Sequence, residues 1–476
     1  MSRIKGAHTV DTPIQGLEAT AGRSLGESCG IVALAENVPV GYRLIQSLRI
    51  IQHRGQESSG ISISTDKRLK NYKGMGLVNE VFSGVRIEKD NGMGIGHIRY
   101  STAGSSTLEN AQPLYAKIGK YEIALGHNGE IVNALQIKES LERKGYSFAT
   151  NSDTEVIMKL LSINLSKTYD PILSMKNTFK KLVGAYSLNI IVNQRVFVVR
   201  DPNGIRPLVV GKTEFGYGAA SESVVFDQLN GKTIRDVKPG EIVEIRKDGI
   251  DSYFYDRGKR TAHCMFEFVY FSRPDSVMDG RNVFNVRREL GRILARESRV
   301  EADCVIPVPD SGRSHALGYS EESGIPFTEG LIKNRYVDRT FIMPEQEGRE
   351  NELDIKLNPI RELIDGKRVI LVDDSIIRGN TMRKIVKMLK VNGAKEVHVR
   401  IACPPVRYPC YLGIDMKTKE EFLAANRNNK EITEKIGADS LSYISLEGLV
   451  KATGLGRENL CLGCLTGRYP VRIGKH

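Results

Sequence analysis

The hydrophobic pattern of the chain changes character twice. Residues 1–28 are polar and rich in small side chains, without a helical or a strand period, and read as a leader or tail. From Cys29 onward, CGIVALAE is a nearly unbroken apolar run, which predicts a buried strand. Apolar positions at helical spacing follow over Gly41–Ile51. Four short strand-like segments come next: GMGLVNEVF, GMGIGHIRYS, YEIALGHNGEIV and YSLNIIVNQRVFVVRD. Helical patterns cover Asp153–Leu165 and Ile172–Leu182, and glycine-rich turns separate the strands. Further on, MFEFVYF alternates like a half-buried strand. Everything up to about residue 260 therefore reads as a strand-heavy α+β unit.

The second half has another rhythm. DCVIPVPDS, KRVILVDDS and KEVHVRIACPP are short β-branched runs, and TMRKIVKMLKVNGA between the last two has helical spacing. Strand, loop, helix and strand in that order make a βαβ unit, which implies a parallel sheet. The charged stretch DRGKRT, Asp256–Thr261, separates the two patterns. The division expected is thus a leader over 1–28, one domain over 29–260 and a second over 261–476.

Composition narrows the class. A chain of 476 residues suggests two to four domains, and 40% hydrophobic with 26% charged residues is ordinary for a globular protein. No apolar run approaches the roughly 18 residues of a membrane span, and the first residues lack the apolar core of a signal peptide. A cytoplasmic location without membrane partners is the expectation. Lys+Arg 69 against Asp+Glu 57 leaves +12, which raises the question of nucleic acid. With no dense basic block and no aromatic-interleaved stripe, no nucleic-acid partner is expected, and the charge suits a basic surface or a pocket for small polyanions. Seven cysteines are too sparse for a disulfide scaffold and stand instead as thiols, metal ligands or a nucleophile.

VILVDDSIIRGNT, Val369–Thr381, is the sharpest motif. An apolar strand ends in Asp373 and Asp374, and Ser375, Arg378, Gly379, Asn380 and Thr381 then open a helix. Ligands of open α/β sheets bind beyond the carboxyl ends of strands. Backbone N–H groups and hydroxyls of such a loop can cradle a phosphate, while the carboxylates can hold Mg²⁺ or bond vicinal sugar hydroxyls. The bland alternative is a solvated acidic turn before a capped helix. Cys461 and Cys464 form a C-x-x-C pair, which offers two ligands to a zinc or iron–sulfur site that needs four. Spacing does not join Cys264 and Cys410 to them, and four free thiols remain an alternative. Cys304 and Cys403 sit in apolar runs and read as inert core residues.

The Val369–Thr381 motif resembles the phosphoribosyl pyrophosphate (PRPP) loop of phosphoribosyltransferases. PVPDSGRS, Pro307–Ser314, resembles the pyrophosphate-side loop of one branch, and KNRYVDRTFI, Lys333–Ile342, its lid, with Lys333, Arg335 and Arg339 toward an anionic substrate. That branch is the glutamine PRPP amidotransferases. The first half resembles the class II glutaminase domain of the same family, an N-terminal-nucleophile hydrolase, through ESCGI, QHRGQESSG, GHIRYSTAG, GHNGEIVN, NSDTEV and DPNGIRPL. His97 and His127 fall inside these motifs with structural and functional readings equally open, and His53, next to Arg54, reads as a residue that packs or hydrogen-bonds locally.

The resemblance implies a four-layer α/β/β/α sandwich followed by an α/β phosphoribosyltransferase domain with a parallel sheet. It implies that Cys29, freed by loss of the leader, attacks glutamine with its own α-amine as base. Arg99 would bind the substrate carboxylate and Asp153 its amine, and Asn128 and Gly129 would form the oxyanion hole. Ser311, Asp373 and Asp374 would serve Mg²⁺–PRPP, and the Ser375–Thr381 loop the 5-phosphate. The resemblance also joins Cys264, Cys410, Cys461 and Cys464 as ligands of a 4Fe–4S cluster, with zinc as the other metal. It further implies purine nucleotides as inhibitors and a homodimer or homotetramer.

Four positions depart from the family pattern: Asp338 in the lid where glycine is usual, Asn380 for threonine in the PRPP loop, Asp354 where a basic residue is common, and Ser28 for glutamate before Cys29. The first three fall on the PRPP side. The function expected is conversion of glutamine, PRPP and water to 5-phosphoribosylamine, glutamate and pyrophosphate, which opens purine synthesis. The alternatives are a paralog with a working glutaminase and impaired PRPP transfer, a PRPP- or nucleotide-binding regulator, and a sugar-phosphate aminating enzyme.

Overall fold

The computed structural model describes residues 29–100, 107–258, 260–334, 357–416 and 418–473. Its first half is two antiparallel sheets stacked face to face between helices. The seven-stranded sheet runs Lys232–Asp236, Val209–Lys212, Gly216–Ala220, Gly30–Glu36, Met93–Arg99, Ser58–Ser64, Leu69–Met75. The six-stranded sheet runs Ile250–Phe254, Glu241–Ile245, Arg195–Arg200, Gly184–Val192, Tyr121–Ile131, Leu114–Ile118.

The Gly30–Glu36 strand shows why its sequence is a continuous apolar run: both of its faces are covered. Ile31, Ala33 and Ala35 pack between the sheets with Ile191, Val198 and Val243. Val32 and Leu34 pack on the other side with Leu44 and Leu48 of the helix Gly41–Ile50. Successive strand residues point to opposite faces, so two apolar sides leave no polar alternation to read. The outer face of the second sheet is closed by the helices Asp153–Thr168 and Pro171–Phe179 through Ile157, Leu161, Met175 and Phe179. Each starts at a capping side chain. Ser152 accepts the Thr154 N–H, and Asp170 accepts those of Ile172 and Leu173, interactions worth about 1 kcal/mol apiece. The four layers expected are thus present in the order helix, sheet, sheet, helix. Asn189 stitches the two sheets, donating to the carbonyls of Val32 (2.7 Å) and Gly96 (2.8 Å).

The second half holds a four-stranded parallel sheet in the order Cys304–Pro307, Arg368–Asp373, Glu396–Ile401, Ser440–Tyr443. The helix Asn380–Val391 makes the expected βαβ crossover, burying Met382, Ile385, Val386 and Leu389.

Two sequence expectations fail locally. GMGLVNEVF is not one strand. The strand ends at Met75, Gly76 turns at φ +113°, and Val78–Val81 is a short helix whose Glu80 carboxylate accepts the Leu77 N–H. MFEFVYF is not a strand either, since Glu267–Phe271 is a π-helical turn. Glu267, Phe268, Val269 and Phe271 are all buried, so the alternation of residue types there does not report two faces.

Candidate functional site

The nucleophile side is built by strand register. Gly30 pairs with Ile98, which sets Cys29 beside the end of the Met93–Arg99 strand. There the Cys29 Sγ donates to the Tyr100 carbonyl (3.5 Å), and Arg99, the last residue of that strand, is buried with its guanidinium bonded to Glu57. Burial pushes the Cys29 thiol up, against the opposing pull of Arg99 and Arg206.

The facing sheet supplies the candidate oxyanion hole. Asn128 and Gly129 lie in the Tyr121–Ile131 strand, paired with Ser187 and Tyr186. Gly129 has φ +146°, and a Cβ there would fall 1.9 Å from the Ala185 carbonyl oxygen, so no other residue fits. Asn128 is fully buried, and neither its Oδ1 nor its Nδ2 has a hydrogen-bond partner among the described residues. A buried amide normally satisfies both atoms, so this one could receive a donor or acceptor from a bound molecule.

Asp153 opens the helix Asp153–Thr168 and accepts the Ile131 N–H (3.0 Å), which ties the helix to the strand that carries Asn128. Burial would raise its carboxyl, and His127 beside it, 3.5 Å away, holds it below the usual carboxylate range. Gln112 accepts the His127 N–H (2.7 Å) and donates to Thr154 Oγ1 (3.1 Å), which lies 3.2 Å from His127 Nδ1. His97 Nε2 meets the His127 carbonyl across the two sheets (3.0 Å), and burial lowers its ring to about 3, so it is a neutral structural link. Of the two histidines, then, His127 lies next to the candidate amine site and His97 joins the sheets.

Sequence reasoning missed the layer behind the nucleophile. Arg54 is fully buried. Its Nε donates to the Cys29 carbonyl (3.2 Å), and its Nη atoms bond Glu222 (2.7 Å) and Glu267 (2.7 and 2.9 Å). His53 does not bond locally as expected; it too reaches Glu222 (2.7 Å). The arginine and its glutamates lie 168 and 213 residues apart, beyond any local pattern. The available signal was the QHRGQESSG motif, which contains both His53 and Arg54 but does not show their partners.

At the second site the Arg368–Asp373 strand delivers both carboxylates. Ser311 Oγ donates to Asp373 (3.2 Å), as does the Asp374 N–H (2.9 Å), and Ser375 Oγ donates to Asp374 (2.6 Å). Burial, then the neighbouring Asp374, pushes the Asp373 carboxyl well above its ordinary range. Gly379, at φ +82°, leads into the helix, with Asn380 and Thr381 as its first residues. Arg378 lies on Glu421 (3.0 Å) and Lys333 on Asp310 (3.1 Å). Arg335, Asp338, Arg339 and Asp354, like the leader and Ser28, fall outside the described residues.

The four dispersed cysteines converge. His263–Cys264 pairs in parallel with Leu460–Cys461, Cys464 follows in the turn Gly463–Thr466, and Cys410 accepts the Leu412 N–H (3.4 Å). Burial, and then the other thiols, raise Cys464, and Cys264 is pushed up to about 12, chiefly by burial. Among the described residues no three His, Cys, Asp or Glu side chains are spaced to hold a single metal ion.

Known proteins match along nearly the whole chain. The family model for a glutamine amidotransferase domain matches residues 97–228, and that for a phosphoribosyl transferase domain residues 276–419. The amidophosphoribosyltransferase of Methanocaldococcus jannaschii is 48% identical over 94% of this chain and 98% of the relative. That of Bacillus subtilis is 44% identical over 95% and 96%. Two solved structures superpose closely. One, described as the allosteric regulatory enzyme of purine biosynthesis, has a TM-score of 0.89 at 44% identity over 94% of this chain and 97% of that one. The other, the glutamine PRPP amidotransferase of B. subtilis complexed with ADP and GMP, has a TM-score of 0.88 at 43% identity over 94% and 98%. With its two sheets, its parallel βαβ unit and these relatives, the chain belongs to the amidophosphoribosyltransferases, the glutamine-dependent glycosyltransferases that catalyse the first step of purine biosynthesis.

Proposed function

We propose that Cys29 is the glutaminase nucleophile and that its α-amine, released when residues 1–28 are removed, takes the thiol proton. Arg99 and Asp153 then hold the two charged ends of glutamine, and the Asn128 amide and Gly129 N–H receive the oxyanion. Attack on the side-chain amide forms a glutamyl thioester and expels ammonia; water then releases glutamate. Ammonia passes to the second domain, bonds to the anomeric carbon of PRPP and displaces pyrophosphate. The unpartnered, buried Asn128 amide is the observation that carries this reading.

In the second domain the acid pair and Ser311 suit Mg²⁺ with PRPP. When bound, Mg²⁺ neutralises charge on the leaving pyrophosphate. The Ser375–Thr381 loop offers hydroxyls and the N-terminal N–H groups of the helix Asn380–Val391 to the 5-phosphate. Lys333, and by position Arg335, would shield the pyrophosphate. Four converging cysteines, three of them buried, are a soft, all-sulfur donor set, which fits a 4Fe–4S cluster at Cys264, Cys410, Cys461 and Cys464. Such a group would cross-link the start of the second half, at Cys264, to its C-terminal end at Cys461 and Cys464. Feedback by purine nucleotides is supported by the ADP and GMP complexed with the B. subtilis relative. A homodimer or homotetramer and a cytoplasmic location complete the reading; among the described residues no helix is long and apolar enough to cross a membrane.

The test is pyrophosphate release from Mg²⁺–PRPP with ammonia as donor. Release supports phosphoribosyl transfer. Its absence from folded protein with intact glutaminase favours the paralog suggested by Asp338, Asp354 and Asn380. Roughly four iron and four sulfide per chain would support the cluster, and one zinc without sulfide would overturn it.

A further inference from the structure

Three consecutive residues after Cys410 reach the candidate glutamine site at three separate points. Tyr411 lines a cavity of about 290 Å³ together with Asp153, Glu130 and Ile131. The Leu412 carbonyl accepts two N–H groups from Arg206, Nε at 3.1 Å and Nη2 at 2.7 Å. Gly413, at φ +95°, lies directly on Gly129, where a Cβ would meet the Gly129 carbonyl carbon at 2.8 Å, its Cα at 2.9 Å and Arg206 Nη2 at 2.9 Å.

Arg206 carries the same turn toward the nucleophile. It is fully buried in the DPNGIRPL loop, which Asp201 orders by accepting the N–H groups of Asn203 (2.8 Å) and Ile205 (2.9 Å). Its Nη1 lies 3.5 Å from Glu267 Oε1. Glu267 is bonded in turn to Arg54, whose Nε holds the Cys29 carbonyl. One turn of the second domain therefore touches the candidate oxyanion glycine directly and reaches the nucleophile's backbone through Arg206, Glu267 and Arg54.

This arrangement matters because an oxyanion donor acts only when its N–H is aimed before the charge forms. Gly129 is bounded on one side by Ala185 and on another by Gly413. Neither contact leaves room for a side chain, so a shift of either backbone by a few tenths of an ångström moves the donor.

We propose that the Tyr411–Gly413 turn is a positioning element of the glutaminase, with Gly413 and Arg206 as positioning residues that hold Gly129 and the Cys29 backbone in register. The inference rests on the assignment of Cys29 and Gly129 made above. It also means that Cys410 and the glutamine site share a turn, so a disturbance at the thiol site is transmitted to the oxyanion donor.

Gly413→Ala in the full chain tests it. The expected result is a fall of about tenfold or more in glutamine-dependent kcat. The ammonia-dependent release of pyrophosphate should stay within about twofold, because no residue placed at the PRPP site lies in this turn, and the fall in kcat should exceed any rise in the KM for glutamine. Iron and sulfide content should not change. An unaltered kcat in folded protein overturns the proposal, as does an equal loss of both activities. Arg206→Lys keeps the charge but loses the fork on Leu412. It should lower the same kcat by less, and it carries the test by the same criteria if Gly413→Ala does not fold. Cys29→Ala is run beside them. If it keeps glutamine-dependent activity, the nucleophile assignment falls and the inference falls with it. If it is inactive while Gly413→Ala is unimpaired, the inference alone falls.

Discussion

Buried carboxylates fare differently around the two candidate sites. Near the nucleophile and the glutamine clamp burial would raise Asp153, Glu222 and Glu267, yet all three are held below the usual range, whereas Asp201, farther back in the first half, is raised by burial. His127 lowers Asp153, His53 and Arg54 lower Glu222, and Arg54 and Arg206 lower Glu267. At the proposed PRPP site burial prevails, and Asp373 is pushed up with Asp374 beside it. The cations at that end are turned to other acids: Lys333 to Asp310, Arg313 to Glu329 and Arg378 to Glu421. The first site is neutralised from within and ready for a zwitterion. The second keeps a raised acid beside Asp374, with cations nearby paired to other carboxylates, as suits a polyanion that brings its own divalent ion.

Removing the nucleophile breaks the comparison most sharply. Cys29→Ala should cut glutamine-dependent product formation by at least about 10⁴ and spare ammonia-dependent pyrophosphate release; equal loss of both would mean the halves are not separate sites. Glu222→Gln comes next, because it leaves Arg54 and His53 short of a buried counter-charge, a loss of about 3–5 kcal/mol of stability. The pH sense follows from the depressed carboxyl. Its contribution is present above about pH 4.3, the unfolded value, and is lost as pH falls toward the folded one. Thermal midpoints of wild type should therefore drop on acidification below about pH 4, and the variant's curve should be flatter there. Asn128→Ala should lower glutamine-dependent kcat by about 10²–10³ with little change in KM for glutamine, read by glutamate release. The smallest effect has the opposite sign. A raised carboxyl stabilises at low pH and loses that contribution as pH rises through its folded value. Asp373→Asn should thus raise the midpoint of Mg²⁺-free protein at neutral pH, by about 1–3 °C, while it weakens PRPP turnover. A lowered midpoint would show that the acid pair is not the electrostatic opposite of the glutaminase carboxylates.

What the sequence made legible follows from range. The Gly30–Glu36 strand, the Asp153–Thr168 helix and the parallel βαβ unit rest on neighbours within a dozen residues, and periodicity carries them. MFEFVYF misled because burial on every side erases the meaning of alternation. The motif residues Cys29, Arg99, Asn128 and Asp153 could be singled out by type and resemblance. The Arg54–Glu222–Glu267 network could not, because it exists only once chain segments far apart are folded together. Arg206 was visible only as part of a matched loop, and its contact with Leu412 belongs to tertiary packing alone.

The pairing of His263–Cys264 with Leu460–Cys461 has a consequence for the order in which the protein is made. Both sheets of the first half are complete once Phe254 has left the ribosome. The two-residue strand that follows finds its partner only about 200 residues later, which at 5–20 residues per second is a wait of roughly 10–40 s. A chain stalled or cut before Cys461 would leave the His263–Cys264 strand with no partner to pair with, even though both sheets before it were complete.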